Sequence, residues 1–339
     1  MKKTIATVLT IALALGSFAA CNSAVKKDSD KPKVVATIFP EYDWVKNIAG
    51  DNADITLLLD KGVDLHSYQP TTEDILTVAT CDLFIYVGGE SDEWVDDTLK
   101  QSQNKDMKVI NLMEVMGDSA YEEELKEGME ADEHDHDHDE DHDHDEGEDH
   151  EHEHEHEEGE VEYDEHVWLS LKSSKKFVRA ITDSLKEIDA ANAETYESNA
   201  AAYIEKLDEL DAKYEELCSG SSVDTLIFAD RFPFRYMTED YGLDYFAAFI
   251  GCSAETEASF ETISFLAQKT DDLGLKYIFT IDNSDQKIAN TVISNTSSKD
   301  QEILVLDSMQ SADKAAADSG KTYLGVMEGN YEVLKKALG

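Results

Sequence analysis

At 339 residues with 41% hydrophobic side chains, the chain exceeds one ordinary domain and carries enough apolar material for two cores, which excludes wholesale disorder. Asp and Glu number 75 against 29 Lys and Arg, a formal net charge of -46 that repels phosphate backbones and excludes nucleic acid as a partner. A two-lobed acidic protein is the expectation.

Lys2 and Lys3 precede an apolar run from Ile5 to Phe18. That run is shorter than the roughly 20 residues a membrane-spanning helix needs, and small residues lead from it to Cys21. Phe18-Ala19-Ala20-Cys21 is similar to a bacterial lipobox. The expectation is a signal peptide over residues 1–20, lipidation of Cys21 and a polar tether over 21–33. The protein would then be held on the extracytoplasmic face of a bacterial cell membrane.

Short β-branched and aromatic runs follow at 34–39, 55–59, 83–87 and 108–112, each succeeded by helix-like sequence or by an acidic tract. They predict an N-terminal α/β lobe over 34–170, with the tract at about 122–162 inside it. Residues 122–165 hold 26 Asp and Glu and a single Lys. Residues 161–219 contain neither Gly nor Pro. Tyr196, Tyr203, Leu207, Leu210, Tyr214 and Leu217 keep helical spacing there, so 171–220 reads as a helix followed by a long rigid helix joining the lobes. Four more strand-like runs at 225–229, 245–249, 277–281 and 303–306 alternate with helical sequence such as 256–272 and 323–338, predicting a C-terminal lobe over 221–339. The fold class is α/β, with two four-stranded, mostly parallel lobes.

Three cysteines besides Cys21, namely Cys81, Cys218 and Cys252, form neither a disulfide framework nor a CxxC motif. They allow at most one internal pair, and Cys81 sits in apolar sequence that suits a buried thiol.

Nine of the 11 histidines fall within the tract: His134, His136, His138, His142, His144, His150, His152, His154 and His156. Nearly all are flanked by Asp or Glu, with almost nothing apolar between, a pattern that collects metal and cannot build a core. His66 and His166 lie outside it. His66 follows the second strand, Asp230 and Arg231 the fifth, Asp282 the seventh and Asp307 the eighth. Ligands of open α/β sheets bind beyond the carboxyl ends of strands. A cleft between facing lobes would therefore gather imidazoles and carboxylates suited to a divalent transition metal.

These residues resemble the metal-binding lipoproteins of zinc and manganese ABC importers. The resemblance rests on Val35-Ala36-Thr37-Ile38-Phe39-Pro40, His66-Ser67-Tyr68-Gln69-Pro70-Thr71, Asp164-Glu165-His166-Val167-Trp168-Leu169, Tyr241-Gly242-Leu243, Ser253-Ala254-Glu255-Thr256-Glu257 and Leu306-Asp307-Ser308. It implies two α/β lobes joined by a long helix, as in periplasmic binding proteins of the helical-backbone type. It further implies metal ligation by His66, by His166 and, as in some members, by Asp307. Where such proteins usually carry a His or Glu ligand, shortly before Tyr241-Gly242-Leu243, this chain has Arg231, which has no free lone pair to offer. Asp230 is then a candidate oxygen donor, and Arg231 a candidate interlobe pair with Asp307.

The implied function is capture of Zn²⁺, with Mn²⁺ as the alternative cargo, and delivery to an ABC permease and its ATPase by a monomeric protein that is not an enzyme. A surface protein that stores metal on the His-rich tract, or adheres through it, is the competing reading.

Overall fold

A computed structural model of the chain describes residues 31–59, 62–130, 162–253 and 257–339. The leader with Cys21, the nine tract histidines and residues 254–256 lie outside the described residues.

The β-branched runs form two parallel four-stranded sheets. Strands β1 (Lys33–Ala36), β2 (Asp54–Leu57), β3 (Leu83–Tyr86) and β4 (Lys108–Asn111) build the first, in the order β2-β1-β3-β4. Strands β5 (Thr225–Phe232), β6 (Asp244–Ile250), β7 (Tyr277–Ile281) and β8 (Glu302–Leu306) repeat that order as β6-β5-β7-β8. Strand β3 reads Leu-Phe-Ile-Tyr and is buried along its whole length, the signature of a parallel strand covered on both faces.

Helices α1 (Phe39–Ala49), α2 (Thr72–Ala79), α3 (Trp94–Lys100) and α4 (Leu112–Met116) belong to the first lobe. Helices α5 (Leu171–Ile188) and α6 (Ala193–Gly220) lead to the second, which holds α7 (Arg235–Tyr241), α8 (Phe260–Leu273), α9 (Lys287–Asn295), α10 (Lys314–Asp318) and α11 (Tyr323–Leu338). The 28 residues of α6 bury Tyr196, Ala200, Tyr203, Leu207, Leu210 and Tyr214, alternating steps of four and three that keep one stripe turned inward. That stripe packs on α1, α5 and α11, while Leu217 is only partly buried. Trp44 of α1 lies 5.6 Å from the Phe177 ring and 5.2 Å from that of Tyr323, and the Tyr214 hydroxyl donates to the Met327 carbonyl at 2.6 Å. Helices of both lobes therefore share one core with α6. At about 1.5–3 kcal/mol for each large side chain fully buried, the stripe fastens both lobes to the same rod.

Two features depart from the sequence reading. Strand β5 continues past Ala229 to Phe232, because a register shift between Phe228 and Arg231 lets it keep pairing with β6, so Asp230 and Arg231 lie within the strand rather than after it. The start of the acidic segment, assigned to the first lobe, lies across the second. Strand β6 is an edge, and its Ala248 carbonyl accepts from the Glu130 N–H at 2.9 Å. Lys126 pairs with Asp244 and stands 4.0 Å from the centre of the Tyr245 ring, Arg235 meets Glu124 at 3.7 Å, and Lys269 meets Glu127 at 3.7 Å. Ion pairs of both polarities thus hold the segment to the second lobe, and it covers an otherwise open strand. The chain comes back antiparallel to itself, with Glu122 bridged to Tyr163 and the Glu123 N–H donating to the Glu162 carbonyl at 2.9 Å. Tyr163 of this bridge lies three residues before His166.

Candidate metal centre

Both histidines outside the tract sit at short 3₁₀ turns, each two residues after an aspartate. The Asp64 carboxylate accepts the His66 N–H at 3.1 Å and starts the turn Leu65–Ser67, and the Asp164 carboxylate accepts the His166 N–H at 2.8 Å just before the turn Val167–Leu169. Helix α2 begins at Thr72, shortly after the first turn, with Thr71 and Asp74 capping each other's backbone N–H groups. The loop of His66 is thus pinned at both ends.

The turns bring the two rings together, with Nε2 of His66 3.1 Å from Nε2 of His166. His166 is fully buried, and its Nδ1 lies 2.9 Å from Asp164 Oδ1, which holds the ring proton on Nδ1 and leaves a lone pair on Nε2. Nδ1 of His66 lies 2.8 Å from the Ser91 hydroxyl. Burial, with His166 beside it, pushes His66 down to about 3, keeping the ring in the neutral form that ligates metal.

Glu165 backs the pair. Its Oε1 accepts the Ser91 N–H at 3.0 Å, its Oε2 stands 3.8 Å from His66 Nδ1, and burial pushes the carboxyl up. Gly89, with φ of +82°, makes this approach possible, since a Cβ there would fall 2.3 Å from Glu165 Oε1.

The predicted carboxylates do not converge on the rings. Asp307 Oδ2 pairs with Lys321 at 2.7 Å while its Oδ1 accepts the Met309 N–H at 2.9 Å. Asp230 accepts the backbone N–H groups of Arg231 at 2.9 Å and Ile281 at 3.4 Å. Nor does Arg231 pair with Asp307, because Lys321 occupies that carboxylate; its Nη2 instead reaches Asp64 Oδ2 at 3.0 Å across the cleft. Asp282 accepts from both the N–H and the hydroxyl of Ser308, at 2.7 and 2.8 Å.

Two residues without any local sequence signal stand beside the imidazoles instead. The side-chain nitrogen of Gln310 lies 3.0 Å from His66 Nε2 and 2.8 Å from His166 Nε2, so one amide donates to both imidazole lone pairs. Its loop is set by Met309, held at φ of +62°, and by the Trp168 indole N–H donating to the Ser308 carbonyl at 2.9 Å. The second is Cys252, whose Sγ lies within 4.8 Å of a ring nitrogen of each histidine; no other group of three His, Cys, Asp or Glu side chains with metal-ligand spacing occurs among the described residues. Cys81, Cys218 and Cys252 are all free thiols.

A cavity of about 660 Å³ opens beside the rings, lined by Asp64, Asp230, Asp282, Asp285, Arg231 and Gln310 among others. Four carboxylates against one guanidinium make it an entrance suited to cations.

Against known proteins, residues 34–337 match the ZnuA family, described as zinc-uptake complex component A, periplasmic. The high-affinity zinc uptake system protein ZnuA of Bacillus subtilis is 30% identical over 325 residues, spanning 94% of this chain and 93% of that protein. The zinc-binding lipoprotein AdcA of Streptococcus pneumoniae is 33% identical over 321 residues, and the chain spans 58% of its length. The zinc-binding protein AdcA of Streptococcus pyogenes is likewise spanned over only 56% of its length. Among solved structures, the Zn(II)-bound ZnuA-like domain of Streptococcus pneumoniae AdcA is similar with a TM-score of 0.67 at 29% identity, covering 91% of this chain and 99% of that one. This chain belongs to the ZnuA family.

Proposed function

We propose that the chain is the extracytoplasmic component of an ABC importer, capturing Zn²⁺ between its lobes on His66 and His166 and passing it to a membrane permease driven by an ATPase. The observation that carries the reading is the 3.1 Å separation of the two Nε2 atoms, both of which face the side-chain nitrogen of Gln310. Nitrogen ligands 2.0–2.1 Å from a tetrahedral zinc stand about 3.3 Å apart, so the rings need almost no rearrangement to hold the ion. Imidazole donors favour zinc over manganese, which prefers oxygen, and the names of the relatives point the same way. Binding rather than catalysis is the role that fits the family.

Lipidation at Cys21 supplies the anchor, and the nine tract histidines collect metal for the cleft. The pairing of Glu123 with Glu162, four residues before His166, supports that supply role. A Cys21→Ala chain should leave the membrane fraction for the soluble one.

Calorimetric titration of Zn²⁺ and then Mn²⁺ into the full chain, beside His66→Ala and His166→Ala, tests the reading. One tight zinc step, lost in each variant and set above weaker binding by the tract, is expected. A tight step that survives both substitutions would sink the cleft assignment and move the metal to the tract.

A further inference from the structure

We propose that Cys252 supplies a thiolate ligand to the metal held by His66 and His166, and that this sulfur makes the cleft select thiophilic cations such as Zn²⁺ and Cd²⁺ over Mn²⁺. The inference rests on the cleft reading above and adds a donor of different chemistry to it. Two imidazoles alone leave a tetrahedral ion half coordinated. Of the described titratable side chains, Cys252 is the one that joins them, with the three donor atoms within 4.8 Å of one another. Nitrogen at 2.0–2.1 Å and sulfur at 2.3 Å from a tetrahedral zinc stand about 3.6 Å apart, so a loop shift of about an ångström completes the trio.

The loop is shaped for that approach. Strand β6 ends at Ile250, still paired with Phe232 of β5, so the root of the loop is fixed. Gly251 follows, and a Cβ there would fall 2.8 Å from Cε1 and 2.9 Å from Nδ1 of His166, and 3.0 Å from the Phe232 carbonyl. Any larger residue would push the Cys252 loop away from the imidazole.

Arg231 then ties the loop to the opposite donor. Its Nη1 donates to the Ser253 carbonyl at 3.3 Å while its Nη2 pairs with Asp64 at 3.0 Å, so one guanidinium grips the residue after Cys252 and the residue two before His66. A side chain that cannot itself ligate metal thereby holds two that can.

On binding, the S–H bond breaks, the sulfur electron pair goes to the cation, and the proton is released to solvent. A thiolate stabilises zinc and cadmium far more than manganese.

Cobalt(II) is the probe. A thiolate bound to Co²⁺ gives a near-ultraviolet sulfur-to-metal charge-transfer band that imidazole and carboxylate ligands do not. The acidic tract contains no cysteine, so the full chain can be used without interference from it. The wild-type chain should show the band, and Cys252→Ser should lose it while Cys81→Ser and Cys218→Ser keep it. Zn²⁺ and Cd²⁺ affinity should fall by ~10-fold or more in Cys252→Ser, and Mn²⁺ affinity should change by less than about twofold. Gly251→Ala, which keeps the thiol but displaces its loop, should weaken the band.

Absence of the band in the wild-type chain, which needs no variant to fold, overturns the thiolate. If His66→Ala still abolishes a tight zinc step in that case, the importer reading stands without it. If no tight step depends on His66 either, both fall.

Discussion

Arg231 in β5 of the second lobe reaches Asp64 of the first at 3.0 Å, two residues before His66, and so closes an ion pair over the entrance to the two imidazoles. Both side chains are about one-fifth exposed, so the pair is screened and contributes about 1 kcal/mol or less to stability. Its effect should be kinetic. Arg231→Ala should raise the rate at which a chelator strips zinc from the protein by about fivefold, equivalent to ~1 kcal/mol. The melting temperature should move by only a few degrees. An unchanged stripping rate would mean the pair does not restrain the cleft.

Asp164 should matter to affinity rather than to folding. Its Oδ1 accepts both the backbone N–H and the ring Nδ1 of His166, which sets tautomer and orientation together. Asp164→Ala should weaken zinc binding by ~10- to 100-fold, the usual cost of losing the partner of a ligating histidine, with Asp164→Asn intermediate. Calorimetry reads the loss, and equal affinity in all three proteins would show that the turn alone orients the ring.

These two positions show where sequence reasoning reached and where it stopped. His66 and His166 were legible because histidine is otherwise nearly confined to the tract, and the strands because β-branched runs recur with helical sequence between them. Asp307 directly follows β8 as the sequence suggests and Asp230 falls inside β5, yet which way a carboxylate turns depends on tertiary partners. Lys321 claims Asp307, and a register shift invisible in composition carries β5 through Asp230. Gln310 and Cys252 carry no local signal at all, since an amide and a thiol become neighbours of the imidazoles only once both lobes have folded. The same holds for residues 121–130, whose charged partners on the second lobe lie more than a hundred positions downstream.

The amide of Gln310 stands where a cation would, donating one N–H to each imidazole lone pair. Metal can reach those lone pairs only after the amide turns aside, and breaking two hydrogen bonds of about 1 kcal/mol each slows entry. Gln310→Ala should therefore accelerate zinc association by about 10-fold, read by stopped-flow fluorescence of the neighbouring Trp168. Slower association would show instead that the amide assists capture.

Glu41 should govern how stability depends on pH. It is fully buried at the start of α1, where Oε2 accepts the N–H groups of Thr37 and Ile38 at 2.8 and 3.3 Å and Oε1 has no partner. Burial, reinforced by nearby Asp92, raises it from its ordinary 4.5 to about 8. The folded protein therefore keeps a proton that the unfolded chain gives up above pH 4.5. The group's contribution is fully present below that pH, declines at up to about 1.4 kcal/mol per pH unit, and is lost as pH rises through 8. Glu41→Gln supplies the same acceptor oxygen without the titration. It should leave the melting temperature near pH 5 almost unchanged and raise it at pH 8, flattening the profile between them. Asp92, raised by burial to about 7, would account for the slope that remains. Melting curves for the two proteins that stay parallel from pH 5 to 8 would mean that Glu41 is ionised in the folded state and compensated by water.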